Sequence, residues 1–321
     1  MKKFIFKTVI YFGLILMALE LLVRAFHLHA DNPPKMIDEF GVEKRVPGST
    51  GHYVKGNRRQ NFTHFSINNS GFNSYREFDP SESKYEVALV GDSFIEGFHQ
   101  DFDNSLGKKI ERLLPELEVY EYGYTGSTMA YQMHLVNAYQ EEFRNIDKII
   151  LYMKFKNDFD THEHEANYEL IRTLNTLPFR IRKNCKLWVY GSNYGMTMPI
   201  KSIASAIWKG FIFLRGKGNL EVAVPEMEAT SVTDRIENFK KLIATYGLDT
   251  QKTVLLLDSR VTDNRFLDFC KENGITYLDF SEAFQKALDP VTLIYDMHWN
   301  DYGRQLLAES IADYLQREID R

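Results

Sequence analysis

The chain has 321 residues, of which 44% are hydrophobic, 26% charged and 14% aromatic. This composition supports a folded core and excludes collagen-like, low-complexity and wholly disordered proteins. The length fits two domains or one large α/β domain with appendages. The net charge of −5 excludes nucleic-acid binding as the task of the whole chain. The two cysteines, Cys185 and Cys270, exclude a disulfide scaffold and a multi-cysteine zinc site, although a single bridge between them stays open.

The N-terminus is a membrane-directed segment. Three lysines precede residues 8–23, an apolar run whose only charge is Glu20, and Arg24 follows it. With its apolar flank, the run approaches the ~20 residues of a spanning helix. A cleaved signal peptide and a buried core helix are the alternatives. Residues 25–30 offer no good small-x-small cleavage pair, and the flanking lysines disfavour a core helix, so we expect an uncleaved anchor within residues 1–30.

The charges around this run predict its orientation. Three lysines lie before it and one arginine after it, and the positive-inside rule then places the N-terminus in the cytoplasm. The sequence therefore predicts a single-pass protein of the cell membrane whose main body is extracytoplasmic, and periplasmic in a Gram-negative bacterium.

Residues 31–83 predict a linker and an N-terminal extension. Turn-forming residues at 32–34, 47–51 and 68–71 separate short alternating stretches. We expect one or two hairpins here.

From residue 84 onward, apolar strand-like runs alternate with helix-length segments. Five strands are predicted, at residues 86–90, 117–121, 148–152, 253–257 and 275–279. Helical patterns lie between and after them, at residues 106–114, 128–143, 231–246, 264–272 and 301–318. The alternation predicts an α/β domain over residues 84–321, with a five-stranded, mostly parallel sheet flanked by helices on both faces.

One interval, at about residues 165–225, is predicted to be an insertion into this domain. From Leu170 to Leu220 it holds nine Lys or Arg, no Asp or Glu, and many aromatic residues. Such a stretch fits a surface on anionic headgroups, a cap over an active site, a site for an acidic polymer, or a solvated positive face with ordinary core aromatics. We expect a cap or membrane-facing surface outside the central sheet.

The first predicted strand ends in Gly91-Asp92-Ser93. Ligands of open α/β sheets bind at the carboxyl ends of strands, so Ser93 is placed for nucleophilic attack. The surroundings match neither a P-loop nor the GxSxG elbow, which requires glycine where Ile95 stands. A helix N-cap at Asp92-Ser93 is the structural alternative.

His298, shortly before the last predicted helix, is the candidate base for Ser93. Asp296 lies two residues earlier and can reach back to the imidazole, fix its tautomer and stabilise the imidazolium. We interpret the other histidines as structural or surface residues: His27, His29, His52, His64, His99, His134, His162 and His164.

Four motifs in chain order resemble those of the SGNH (GDSL-type) hydrolases, in their membrane-anchored bacterial form. They are residues 91–94 (GDSF), 122–127 (YGYTGS), 156–158 (KND) and 296–298 (DMH). The resemblance covers Tyr85 to the C-terminus apart from the insertion. It implies Ser93 as nucleophile, His298 as base and Asp296 as its orienting acid. It also implies an oxyanion hole formed by the backbone N–H groups of Ser93 and Gly126 and the side chain of Asn157.

Two features depart from the family pattern. Many members have two residues between the Asp and the His, whereas only Met297 intervenes here, a spacing associated with membrane-anchored and polysaccharide-acylating relatives. Glu121 replaces the asparagine of the glycine motif. The serine mechanism requires no metal or other cofactor. The loop after Asn157, however, contains residue types that bind metals, so a metal site there is an alternative to a solvated acidic loop. These residues are Asp158, Asp160, His162, Glu163, His164 and Glu165.

The sequence thus predicts a membrane-anchored, extracytoplasmic serine esterase that removes or transfers O-acyl groups, with acetyl expected, on a carbohydrate or envelope glycan. The expected partners are the acylated glycan or another ester substrate, the membrane, and a membrane acyltransferase if the protein transfers acyl groups; nucleic acid is not among them. The alternatives are a lipid or other ester hydrolase and, from another class, a non-catalytic glycan-binding or assembly component.

Overall fold

The structure is a computed structural model that describes residues 1–56, 59–81, 84–195, 230–294 and 296–320. The chain forms two compact units. The smaller unit comprises Met1–Asp31, Val54–Gln60 and Arg172–Ala229, and the larger comprises Asn32–Tyr53, Asn61–Ile171 and Thr230–Arg321. The larger unit carries the predicted sheet and all the predicted site residues.

The N-terminal extension contains two small sheets, in agreement with its turn signals. The first is antiparallel and pairs β1 (Lys35–Ile37) with β2 (Glu43–Arg45). The second is formed by β3 (Thr50–Lys55) and β4 (Asn61–Ser66).

The central sheet has five strands, all at the predicted positions. They are β5 (Tyr85–Gly91), β6 (Leu117–Gly123), β7 (Lys148–Tyr152), β8 (Thr253–Leu257) and β9 (Thr276–Asp279). Their order is β6-β5-β7-β8-β9, and all four pairings are parallel. The predicted fold class is confirmed, and the carboxyl ends of the strands share one edge of the sheet.

Helices cover both faces of this sheet because its strand residues are apolar on both sides. Alternate residues of a strand point to opposite faces, so Val87 and Leu89 of β5 enter one core cluster while Ala88 and Val90 enter the other. The helices of the described residues are α1 (Lys2–Ala25), α2 (Ser93–Glu96), α3 (Leu106–Leu113), α4 (Met129–Ala138), α5 (Gln140–Phe143), α6 (Phe155–Asp158), α7 (Tyr168–Leu174), α8 (Leu177–Asn184), α9 (Lys186–Asn193), α10 (Val232–Tyr246), α11 (Asn264–Glu272), α12 (Ser281–Gln285) and α13 (Asp301–Ile319). The first core cluster lies under α3 and α13, and the second under α4, α10 and α11.

One predicted helix, residues 128–143, is divided into α4 and α5 by Tyr139. Its backbone leaves the helical region at φ −103° and ψ 33°. The Tyr139 hydroxyl donates to the Asp38 carboxylate and accepts from the Lys44 ammonium of the extension at 3.1 Å. These side-chain partners lie about 100 residues away in the sequence, so helix periodicity alone does not reveal the break.

The predicted insertion is helical where the structure describes it. Residues 168–193 form α7, α8 and α9 and contribute no strand to the central sheet. The remainder of the insertion, residues 196–225, lies outside the described residues. Cys185 and Cys270 are both free thiols, so the bridge left open by the sequence is not formed.

Candidate active site

Ser93, His298 and Asp296 lie in one hydrogen-bonded row. The Ser93 Oγ is 2.7 Å from Nε2 of His298. On the other side of the ring, Nδ1 of His298 bonds to Oδ1 of Asp296, and the backbone N–H of His298 donates to the same oxygen at 3.2 Å. This arrangement can carry a proton from the serine hydroxyl to the imidazole while a carboxylate faces the opposite nitrogen.

The environment keeps Asp296 ionised. Burial acts to raise the pKa of this carboxyl, but the hydrogen bond and charge of His298, together with the charge of His99, lower it to about 2. Asp296 is therefore a fixed negative charge across the neutral range and stabilises a positive imidazolium.

Asp92, and not Ser93, is the N-cap of α2. Its Oδ1 accepts the backbone N–H of Phe94 at 2.9 Å, and its other oxygen pairs with the Lys154 ammonium. The capping alternative raised by the sequence thus holds for Asp92. The Ser93 hydroxyl meanwhile bonds to His298, so capping and the serine–histidine contact coexist in one short turn.

The three predicted oxyanion-hole residues follow three adjacent strands. Ser93 comes after β5, Gly126 after β6 and Asn157, an exposed residue of α6, after β7. Gly126 has a φ of +85°, which favours glycine, and an added Cβ there would meet no atom within 4 Å. The fold places the three residues at one edge of the sheet, and their joint role as donors stays a prediction.

Glu96, at the end of α2, is a site residue that sequence reasoning missed. Its Oε2 accepts the backbone N–H of Thr125 at 3.0 Å and also the Thr125 hydroxyl. Its Oε1 accepts from Nε of Arg45 at 2.7 Å, and both side chains of this ion pair are buried. The nucleophile helix, the loop that carries Gly126 and strand β2 of the extension are thereby joined at one carboxylate.

His99 also belongs to the site, although its sequence suggests only a structural or surface histidine. Its ring stacks on that of His298, with centroids 3.8 Å apart and planes 20° apart. Its Nε2 lies 3.3 Å from Oδ2 of Asp296 and 3.2 Å from the Tyr53 hydroxyl. His99 thus contacts both His298 and Asp296. Its only sequence signal is its position six residues after Ser93.

The acidic loop after Asn157 does not gather its side chains around a common point. Asp158 accepts the backbone N–H of Lys154 at 2.6 Å, Asp160 pairs with Arg235 at 3.0 Å, and the His164 ring bonds to a backbone carbonyl. Across the part of the chain that the structure describes, the one His, Asp and Glu group with ligand atoms within 4.8 Å of one another is His99, Asp296 and His298. The geometry of this loop therefore gives no support to a metal site formed by its side chains.

A cleft of about 740 Å³ opens beside Gly126. Polar, charged and tyrosine residues line it, including Lys35, Tyr124 and His162. Among the residues that the structure describes, Leu170 is the one aliphatic residue in the lining. The Lys35 ammonium lies 4.9 Å from the centroid of the Tyr124 ring. The cleft offers hydrogen-bond donors, acceptors and aromatic rings next to the loop that carries Gly126.

No protein-family model and no curated protein sequence matches the chain. Solved structures do match. A lipolytic G-D-S-L family member from Veillonella parvula is 12% identical, with a TM-score of 0.40, over 73% of this chain and 99% of that one. The Enterococcus faecalis lipase/acylhydrolase is 14% identical, with a TM-score of 0.41, over 73% of this chain and 96% of that one. A psychrotrophic esterase from Pseudoalteromonas is 10% identical, with a TM-score of 0.41, over 74% of this chain and 100% of that one.

The first of these structures is described with the same family that the four sequence motifs resemble. Likenesses this distant carry no argument about activity, which has to be derived from the side chains of this protein.

Replacing Arg45 tests the central ion pair. Arg45→Met leaves the Glu96 carboxylate buried without its cation, and we expect a loss of about 3–5 kcal/mol in the free energy of unfolding, measured by urea denaturation. Arg144→Met is the matched control, because the Arg144–Glu141 pair is exposed and such pairs contribute about 0–1 kcal/mol. Equal losses in the two variants would show that the buried pair is not a special constraint.

Proposed function

We propose that this protein is a serine esterase or acyltransferase of the SGNH type. The observation that carries the proposal is the row of hydrogen bonds from Ser93 through His298 to the ionised Asp296. A binding module has no need for a serine hydroxyl aimed at an imidazole that is itself held by a carboxylate.

The chemistry follows from these contacts. Oγ of Ser93 attacks the ester carbonyl as its proton passes to Nε2 of His298, and Asp296 stabilises the imidazolium through Nδ1. The C–O bond to the alcohol then breaks, and His298 returns its proton to the departing oxygen. Water, or a hydroxyl of a second substrate, attacks the acyl-enzyme with His298 again as base, which regenerates Ser93.

The developing oxyanion needs donors at the edge of the sheet where Ser93 lies. The backbone N–H groups of Ser93 and Gly126 and the amide of Asn157 are assigned to this role. Glu96 holds one of these donors in place, because its carboxylate bonds to Thr125, the residue next to Gly126. Donors held in place before the reaction stabilise the transition state without a cost of reorganisation.

The substrate class assigned here is an O-acylated carbohydrate, such as an acetylated envelope glycan. Its support is the polar, tyrosine-containing cleft beside Gly126, since sugars bind through hydrogen bonds and aromatic faces. A fatty-acyl substrate would be better matched by an apolar cleft. Transfer to a second sugar hydroxyl, with acyl groups supplied by a membrane acyltransferase, uses the same steps.

The N-terminal helix is assigned as a membrane anchor. α1 has 24 residues, a mean hydropathy of 2.0 over its most apolar window, and none of that window buried. At ~1.5 Å per residue it is about 36 Å long, enough to cross a hydrocarbon core of ~30 Å. The three lysines before the apolar run support a cytoplasmic N-terminus and an extracytoplasmic catalytic unit.

Labelling with a serine-directed fluorophosphonate tests the nucleophile. We expect the wild-type protein to be labelled at Ser93 and to hydrolyse at least one member of a panel of acetylated sugars and lipid esters. Ser93→Ala is expected to fold normally, to remain unlabelled and to lose activity by a factor on the order of 10³ or more. A folded Ser93→Ala variant that retains most activity would refute the assignment.

Two aspartates near His298 distinguish the orienting acid from a structural one. Asp296→Asn is expected to lower kcat by roughly 10² to 10⁴, because Asp296 bonds to Nδ1 of His298. Asp301, in the first turn of α13, instead pairs with Lys109 at 2.9 Å. Asp301→Asn should therefore lower the melting temperature, because it leaves the buried Lys109 side chain without its anion, and should change kcat little. Steady-state kinetics and thermal melts decide, and the reverse pattern would show that the acid is misassigned.

His99 is assigned as a positioning residue for Asp296. His99→Phe keeps a ring against His298 but removes Nε2, and kcat should fall by roughly 10- to 100-fold with little change in KM or in the melting temperature. His99→Gln places an amide nitrogen near the lost Nε2 and should retain more of kcat than the Phe variant. His64→Phe, at an exposed histidine elsewhere in the unit, is the control. Full kcat in His99→Phe would remove this role.

A further inference from the structure

We propose that α8 and α9 form a surface that lies on anionic lipid headgroups beside the membrane anchor. This inference concerns the smaller unit and rests on the anchor assigned above. It is independent of the catalytic residues.

Hydrogen bonds tie the end of the anchor to both helices. The Glu20 carboxylate accepts the backbone N–H groups of Lys186 and Leu187, at 2.9 and 2.7 Å. These two residues form the first turn of α9. Four residues along α1, the Arg24 guanidinium donates to the carbonyl of Asn184, the last residue of α8, at 2.6 Å. The junction of α8 and α9 is therefore fixed at the last two turns of the anchor.

This attachment sets the depth of the two helices. Glu20 lies about 7–8 Å from the end of α1 at ~1.5 Å per residue. It is within one turn of the end of the apolar run at residue 23, and therefore near the headgroup boundary when that run spans the hydrocarbon. A carboxylate at that depth is costly unless it is bonded, and the amide dipoles at the start of α9 provide favourable partners. α9 also carries Trp188 and Tyr190, residue types that are enriched at the membrane–water boundary.

The exposed side chains of α8 combine apolar and basic groups. Leu177 and Ile181, one turn apart, are 68% and 60% exposed. Arg180, Arg182 and Lys183 are exposed beside them. Exposed leucine and isoleucine among cations are typical of a helix that lies in the headgroup region, and each Lys or Arg near an anionic surface contributes about 1 kcal/mol. An acidic polymer would account for the cations but not for the apolar pair.

Lipid quenching of a probe on α8 tests the proposal. The full chain carries Ile181→Cys in a Cys185→Ser background, labelled with an environment-sensitive fluorophore; Cys270 is buried and stays unlabelled. It is placed in nanodiscs of phosphatidylcholine alone or with about one third phosphatidylglycerol. We expect blue-shifted emission and quenching by shallow spin-labelled lipids, both stronger in the anionic discs. The reference is a probe at Leu288→Cys, a side chain that is 94% exposed in the larger unit.

Charge reversal and extraction complete the test. The triple variant Arg180→Glu, Arg182→Glu, Lys183→Glu should lose the difference between the two lipid compositions. Emission at Ile181→Cys that equals the Leu288→Cys reference in both compositions, or a blue shift that neither anionic lipid nor charge reversal changes, would overturn the proposal. Alkaline carbonate extraction separates the two assignments. If the protein remains in the membrane but the probe emits as in water, the surface proposal is wrong and the anchor assignment stands. If the protein is released, the anchor assignment itself is wrong.

Discussion

The candidate site depends on the buried carboxylate of Glu96. This one group bonds to the Thr125 backbone and to Arg45, so the nucleophile helix, the glycine loop and the N-terminal extension keep a single arrangement. Removing either charge would leave the other buried without its counter-ion, which is among the most costly changes available to a folded protein. The extension thus contacts the site through Arg45, which pairs with the carboxylate that bonds to Thr125.

Asp296 and His298 are close in the sequence, and a residue from elsewhere in the chain, His99, contacts both of them. With only Met297 between them, Asp296 folds back onto both the ring and the backbone N–H of His298. One carboxylate oxygen is used in this way, and His99 lies beside the other. Asp296, His298 and the stacked His99 form one layered group, and this geometry holds the imidazole in place for the proton transfer proposed above.

On the functions proposed here, the two units present different chemistries. The larger unit has a polar cleft beside Gly126, suited to a hydrated substrate. The smaller unit combines an apolar helix with exposed basic and aliphatic side chains, suited to a lipid surface. In that proposal the cleft binds the polar substrate and the smaller unit faces the lipid.

The sequence by itself determined the five strands, the order of strand and helix, the apolar N-terminal segment and the residue types of the serine, histidine and aspartate motifs. These features depend on local periodicity and on side chains close in the chain, such as Asp296 and His298, two residues apart. The tertiary structure alone decided that Ser93 meets His298 across 205 residues and that Glu96 meets Arg45 across 51. It also decided that His99 joins the site and that Tyr139 divides a predicted helix. Contacts of this kind follow from strand order and loop paths, which residue spacing does not encode.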